Sequence, residues 1–290
     1  MRESTIAARP WEGAGGGFWV LPPFAVLAAI FLYPLYLIVR EAIAGPAHMP
    51  AFANVVHVLG SRMFMTALIN TLRIATSATA GCLLLGFVLA LVISFVPFPG
   101  RFFVAKLLDT FIALPTFLIA LAFTFVYGSA GILNESLMAM TGANLPPLDF
   151  LYSSWGVILA EITVYSPFVL QPLIAAFSVL DPAQIEVASS LGARPMRIIR
   201  KVIFPAALPA LLAGGSLCLL LTVNEFGIVL FIGAKGVITL PLLVYDKAIQ
   251  EFDYPGACAI AAVNVLLSIT LYSLYRLAIT GMGGRRAAMV

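Results

Sequence analysis

Charge is what this sequence has least of: Lys, Arg, Asp and Glu make up 10% of its 290 residues, against roughly 25% in ordinary globular proteins. With 62% hydrophobic side chains and a mean hydropathy of +1.06, the chain is an integral membrane protein rather than a soluble domain. Histidine is almost missing. His48 and His57 are the only two; they fall in one loop without a plausible metal partner set and read as solvated residues, which argues against a membrane enzyme built on clustered His, Asp or Cys. Cysteine is equally sparse: Cys82, Cys218 and Cys258 are odd in number, lie in apolar runs and lack metal-ligand spacing, so they read as small buried apolar residues. No G-x-x-x-x-G-K-S/T phosphate loop occurs anywhere, so the chain cannot itself be a P-loop ATPase. Internal repeats are missing too, and the only low-complexity stretch is Gly13 to Gly17, which leaves one membrane domain as the simplest organisation.

What is present is apolar length. About 20 apolar residues cross a hydrocarbon core, and six stretches reach it: 18–39, 66–95, 104–127, 155–177, 206–232 and 255–278. Backbone groups in lipid must be satisfied internally and no barrel-like alternation is visible, so each is expected to be an α-helix. Arg2 and Arg9 ahead of the first run, with Ala42-Ile43-Ala44 after it, imitate a secretory signal. The run exceeds the roughly 7–15 residues of a signal core, which favours a retained helix; cleavage would leave five spans and the same downstream topology.

With six spans, eleven of the sixteen basic residues fall on one side: Arg2, Arg9, Arg101, Lys106, Arg194, Arg197, Arg200, Lys201, Arg276, Arg285 and Arg286. The richer side is expected to be cytoplasmic, with both termini. The net charge of +3 then reflects topology and implies no nucleic-acid partner. Loops at 40–64, 128–153 and 233–253 lie on the other side, where turn residues such as Pro146-Pro147 and Gly233 to Gly236 cluster and where a soluble carrier could dock. Pro115, Pro167, Pro172, Pro205 and Pro209, with Gly214 and Gly215, would kink or loosen helices three to five. Joints of a moving pathway and plain helix packing both account for them.

An ionisable residue at a helix centre costs roughly 2.5–3.5 kcal/mol on insertion scales. Glu161 and the pair Asn224-Glu225 are the deepest candidates here; they would line a polar path between two membrane subunits, touch a cationic part of a substrate, or else fix helix packing through an interhelical hydrogen bond. Arg73, near the outer part of its helix, could meet an anionic solute or snorkel to the interface. Asp109 is expected to pair with Lys106 at the inner interface.

One stretch breaks the apolar pattern, DPAQIEVASSLGARPMRIIRKVIFPAALP from Asp181 to Pro209. Asp181 is a good N-cap, Pro182 suits the first helical position, and Gln184 lies three residues past the cap. Gly192 offers a permissive backbone for a helix end. Pro195 then opens a second helix whose Arg194, Arg197, Arg200 and Lys201 oppose Ile198, Ile199, Val202 and Ile203. Two short helices about a glycine hinge, on the basic side of the membrane, form a docking surface for a soluble partner.

Glu186, Ala188, Gly192, Val202, Phe204 and Pro205 stand at the spacing of the EAA loop, and on these residues the chain resembles the membrane subunits of binding-protein-dependent ABC importers. The family pattern is Glu-Ala-Ala, three residues, Gly, nine residues, Ile, one residue, Leu-Pro; Val187, Val202 and Phe204 depart from it while staying apolar. The resemblance implies a six-helix, all-α, MetI-like core and partners that the composition does not reveal: a cytoplasmic ABC ATPase dimer holding ATP and Mg, a second permease subunit and a periplasmic substrate-binding protein. No cofactor belongs to this chain. It further implies a transporter domain over 66–279 carrying the coupling loop 181–209, preceded by a cytoplasmic tail (1–17) and a first helix with its external loop (18–65), and followed by a tail at 280–290. Glu186, Ala188, Gly192, Arg194, Arg197 and Pro205 would be the ATPase-coupling residues, in a bacterial inner membrane. Leu108 to Gly131 and Gly214 to Ile249 look like the permeases of 2-aminoethylphosphonate importers; branches for ferric iron, polyamines, sulfate and thiamine share the same loop. An ion-coupled secondary transporter remains a different class, and it would show broken helices in repeated halves.

Overall fold

The apolar runs fold as helices joined by short breaks, and each break has a chemical cause. The computed structural model describes residues 20–44, 50, 52–234 and 236–287, with side chains as far as Leu277. In chain order the helices are α1 (Leu21–Ala44), α2 (Ala53–Leu59), α3 (Arg62–Phe95), α4 (Arg101–Ala113), α5 (Thr116–Tyr127), α6 (Ile132–Thr141), α7 (Ser154–Tyr165), α8 (Pro167–Ser178), α9 (Pro182–Ser190), α10 (Pro195–Ile198), α11 (Phe204–Val223), α12 (Gly227–Ile232), α13 (Leu240–Tyr245) and α14 (Tyr254–Ala287). No strand occurs among the described residues. Six helical stretches are long and apolar enough to cross a membrane: Leu21–Ala44, Arg62–Phe95, Thr116–Thr141, Ser154–Ser178, Pro195–Val223 and Tyr254–Leu277.

Two expected spans move. The third, expected at 104–127, is cut at Leu114-Pro115: Leu114 is extended (ψ 135°) because the proline ring disfavours helical backbone in the residue before it. The crossing stretch is therefore α5 with α6, and α4 is a separate helix. The fifth, expected at 206–232, begins at Pro195 and stops at Val223; Asn224 to Phe226 interrupt it, and α12 turns away to pack on α5 and α7. Asp109 does not pair with Lys106. Its carboxylate accepts from the Gln171 amide across α4 and α8.

At the centre α11, α8 and α3 pack on one another, with α7 against α3. Lipid tails are as apolar as leucine, so close contact rather than a hydrophobic drive must join these helices, and small residues permit it. A Cβ at Gly214 would stand 2.9 Å from the Val169 Cα and 3.0 Å from the Phe168 carbonyl oxygen. Hence Gly214 marks a backbone-to-backbone approach and serves packing. α14 flanks the core and α1 lies outermost along α14, its apolar side chains almost all exposed. Asn54 donates to the Ala42 carbonyl at 3.4 Å, tying α2 to the end of α1. At the opposite end from α9, α13 leads into a π-turn at Asp246–Gln250, where Lys247 pairs with Glu251 at 2.6 Å and with Asp253 at 3.5 Å.

Candidate functional site

The Asp181–Phe204 elbow is built almost wholly by local rules. Asp181 is extended and its carboxylate accepts from the Ala183 N–H at 2.9 Å, which starts α9. Gly192 ends that helix with φ +77°; its N–H reaches the Ser189 carbonyl at 2.9 Å, and the Ala193 N–H reaches the Ala188 carbonyl at 3.0 Å. That pair of bonds is a Schellman closure. It gives Ala188 a structural part that spacing alone did not reveal: its carbonyl closes the turn while its methyl packs on the core together with Ala193 and Ile185.

Pro205 stamps the second half. A proline at this point cannot donate to the Lys201 carbonyl, and the helix answers with a π-turn over Ile199–Ile203, closed by the Phe204 N–H on the Ile199 carbonyl. α10, the π-turn and α11 thus form one continuous rod from elbow to bundle. Of the six expected coupling residues, Glu186, Gly192, Arg194 and Arg197 are exposed, whereas Ala188 and Pro205 are half-buried. Exposed apolar side chains stand among the charges: Val187 at 59%, Leu191 at 82% and Met196 at 72%. These three were not anticipated. A face mixing one carboxylate, two guanidiniums and three apolar knobs suits a groove on another protein better than water.

Glu161 is 1% exposed, with its Oε2 lacking a hydrogen-bond partner, and is enclosed between helices rather than set along an opening. Glu225 is also enclosed: it accepts from the Tyr165 hydroxyl and, through Oε1, from the Ile228 N–H at 2.7 Å, so it caps α12. Tyr165 belongs to the same joint. Beyond it Pro167 opens α8, the Val169 N–H turns to the Ser166 carbonyl at 3.1 Å, and the released Tyr165 carbonyl takes the Cys218 thiol at 3.2 Å. Glu225 therefore ties α7 to the start of α12 in this conformation, whereas Glu161 Oε2 meets no hydrogen-bond partner there.

Asn224 behaves differently, being exposed on the flank where α11 ends. Its amide donates to the Leu220 carbonyl at 2.8 Å and to the Ser268 hydroxyl at 3.2 Å, and Asn264 donates to its Oδ1 at 3.0 Å. Asn264 and Ser268 on α14 escaped the sequence reading because no charged residue stands beside them; a polar residue midway along an apolar span was the available signal. Arg73 is exposed on α3, remote from the buried stripe of Thr71, Ala75 and Thr79. The structure does not bring Glu161, Glu225, Asn224 and Arg73 to one point. Among the described residues no group of three or more His, Cys, Asp or Glu is placed to hold a metal ion.

The comparisons with known proteins fit this geometry. Residues 82–283 match the model of the family described as binding-protein-dependent transport system inner membrane component. A protein of Salmonella typhimurium, provisionally named 2-aminoethylphosphonate transport system permease protein PhnU, is 60% identical over 267 residues, covering 92% of this chain and 93% of that one. The sulfate transport system permease protein CysT of the same species is 29% identical over 259 residues, covering 87% and 91%. Among solved structures, a bacterial ABC transporter involved in import of the polysaccharide alginate superposes with a TM-score of 0.77 at 19% identity, over 90% of this chain and 93% of that chain. This chain belongs to the binding-protein-dependent inner membrane components, as the permease subunit of an ABC importer.

Proposed function

We propose that this permease carries 2-aminoethylphosphonate across the bacterial inner membrane, and that the Asp181–Phe204 elbow is the lever through which a separate ATPase drives it. What supports the cargo is the 60% identity with the permease named for that solute, spread over 92% of the chain. The elbow is rigid at both ends, through the Asp181 cap and the continuous rod from Pro195 to Val223, so displacement at Glu186 is passed to α11 and the core rather than absorbed. The exposed Glu186, Arg194 and Arg197, with Val187, Leu191 and Met196 between them, form the contact with the cytoplasmic ATPase dimer; ATP and magnesium are held there. Ala188, Gly192 and Pro205 set the shape of the elbow.

On the same proposal the elbow end lies inside the cell. Arg194, Arg197, Arg200 and Lys201 sit at the elbow end, as do Arg101 at the start of α4 and Arg276 late in α14, and basic residues gather on the cytoplasmic side. Both termini then lie inside. A second permease subunit and a periplasmic binding protein complete the transporter, the latter meeting the end built from α2, α6 and α13. Rocking of the helices between inward-open and outward-open states moves the solute. Asn224 and Arg73, on exposed flanks, are the pathway residues; Glu161 and Glu225 hold the bundle behind them.

The test is uptake by the complex reconstituted in liposomes. ATP-dependent accumulation of labelled 2-aminoethylphosphonate supports the assignment, whereas accumulation of sulfate alone moves the chain to the other branch. Uptake that survives without ATP and stops on collapse of an ion gradient would overturn the mechanism altogether.

A further inference from the structure

Asn224, Asn264 and Ser268 form a hydrogen-bonded chain whose polarity can be worked out atom by atom. The Leu220 carbonyl can only accept, so the group of Asn224 that faces it at 2.8 Å is the amide nitrogen. Asn224 Oδ1 can then only accept, so Asn264 must present its own nitrogen there, at 3.0 Å. Asn264 Oδ1 is what remains. Asn264 is 9% exposed, and its Oδ1 is buried without a partner. The Ser268 hydroxyl does not relieve it, because that proton goes to the Asn264 main-chain carbonyl at 2.9 Å. The vacant capacity is thus an acceptor, and what fills it must bring an N–H or O–H.

The place is as telling as the chemistry. Asn264 lies ten residues beyond Tyr254 and twelve before Arg276, about 15 Å and 18 Å along the helix at 1.5 Å per residue, so it stands near the middle of the last span. Asn224 beside it is exposed. Amides on an exposed flank at that depth are costly against lipid, and such residues face a water-filled cavity or a bundle interior. The cluster has no carboxylate among its hydrogen-bond partners. A neutral amide oxygen attracts a cationic donor without a counter-charge to trap it, which suits a station where a solute must both arrive and leave.

We propose that Asn264, held in this orientation by Asn224, is the acceptor that receives the donor end of the transported solute when the seam between α11 and α14 opens. Resting on the cargo reading above, that end is the ammonium group of 2-aminoethylphosphonate; a sulfate dianion has no donor to offer.

The experiment uses the complete transporter in liposomes and follows labelled 2-aminoethylphosphonate and labelled sulfate. Wild type is expected to import the former. Asn264→Leu, which removes the acceptor at similar volume, should lower uptake at least tenfold while the complex still co-purifies with its ATPase, and Asn264→Gln, which keeps a neutral amide with both donor and acceptor, should restore uptake to within about threefold. Asn224→Ala, at an exposed position, frees the Asn264 amide to rotate and should lower uptake severalfold; Asn224→Gln, which keeps a neutral amide with donor and acceptor, should recover it. Leu266→Ala on the lipid-exposed side of α14 is the control. If wild type imports 2-aminoethylphosphonate and both Asn264→Leu and Asn224→Ala do so at the wild-type rate, the station is overturned and the cargo reading stands. If Asn264→Leu fails to assemble, the two Asn224 variants decide by the same criterion. Import of sulfate alone, or of neither solute, by wild type overturns the cargo and the station together.

Discussion

Single polar atoms decide much of the interior. Glu225 satisfies two donors at once, the Tyr165 hydroxyl and the Ile228 N–H, and a buried donor left unmade costs roughly 1–3 kcal/mol. Glu225→Leu strands both and should lower the melting temperature in detergent by several degrees; Glu225→Gln retains an acceptor and should lose less than half as much. Equal losses from the two variants would show that side-chain volume, not capping, sets the effect. Asn264 Oδ1 and Glu161 Oε2 already bear such a deficit in the described conformation. At Gly192 the issue is backbone: φ is +77°, and nothing lies within 4 Å of the point a Cβ would occupy, so Gly192→Ala meets strain of about 1–2 kcal/mol but no clash. The end of α9 should fray, read as faster tryptic cleavage after Arg197. An unchanged cleavage rate would mean the hinge tolerates a side chain.

Helices here end where chemistry ends them. Asp181 starts α9, Gly192 stops it, and Pro205 forces the π-turn that precedes α11. The cap and the stop of α9 were legible because each rests on residues within a few positions of one another; of Pro205 the sequence said only that it would kink or loosen its helix, and the π-turn appears in the structure. The third and fifth spans were misplaced for the converse reason: Pro115 and the pair Asn224-Glu225 sit inside long apolar runs, and run length alone does not say where the backbone will break. Glu186→Arg, on the exposed face of α9, should leave the protein in the membrane and weaken co-purification of the ATPase; undiminished co-purification would remove the coupling role. At the other end, burial and then the nearby Glu251 push the Asp246 carboxyl above its ordinary value of 3.8. The sign follows: a carboxyl raised in the folded state adds stability at low pH and loses it as pH rises through the folded value. Asp246→Asn should therefore unfold with less dependence on pH just above the ordinary carboxyl value of 3.8 and be slightly more stable than wild type at neutral pH. A wild-type protein that gains stability with rising pH in that window relative to Asp246→Asn would contradict this. Lys247 is raised too, chiefly by its hydrogen bond to Glu251, so its contribution persists through neutral pH and fades only under alkaline conditions.

For the whole molecule the governing question is which end faces the cytoplasm. Leu191 in the elbow is 82% exposed and Leu145 in the far loop 77%, while Cys82 and Cys218 are buried. Leu191→Cys should resist a membrane-impermeant maleimide added to intact cells and react after permeabilisation; Leu145→Cys should react in intact cells. The reverse pattern would place the elbow outside, away from any ATPase.

The sequence by itself determined that this chain lives in a membrane, how many times it is long enough to cross, and that a capped, hinged, basic elbow interrupts the crossings. Those properties depend on composition, run length and neighbours along the chain, all of which are local. Only the tertiary structure decided which polar groups meet. Tyr165 reaches Glu225 across 60 positions and Asn264 reaches Asn224 across 40, pairings set by how α7, α11 and α14 lie against one another. Helix packing in lipid is governed by close steric fit rather than by hydrophobic patterning, so it leaves little periodic trace. For that reason Glu225, conspicuous by its charge, is found tying α7 to α12, while Asn264, with no charged neighbour to mark it, holds an open acceptor.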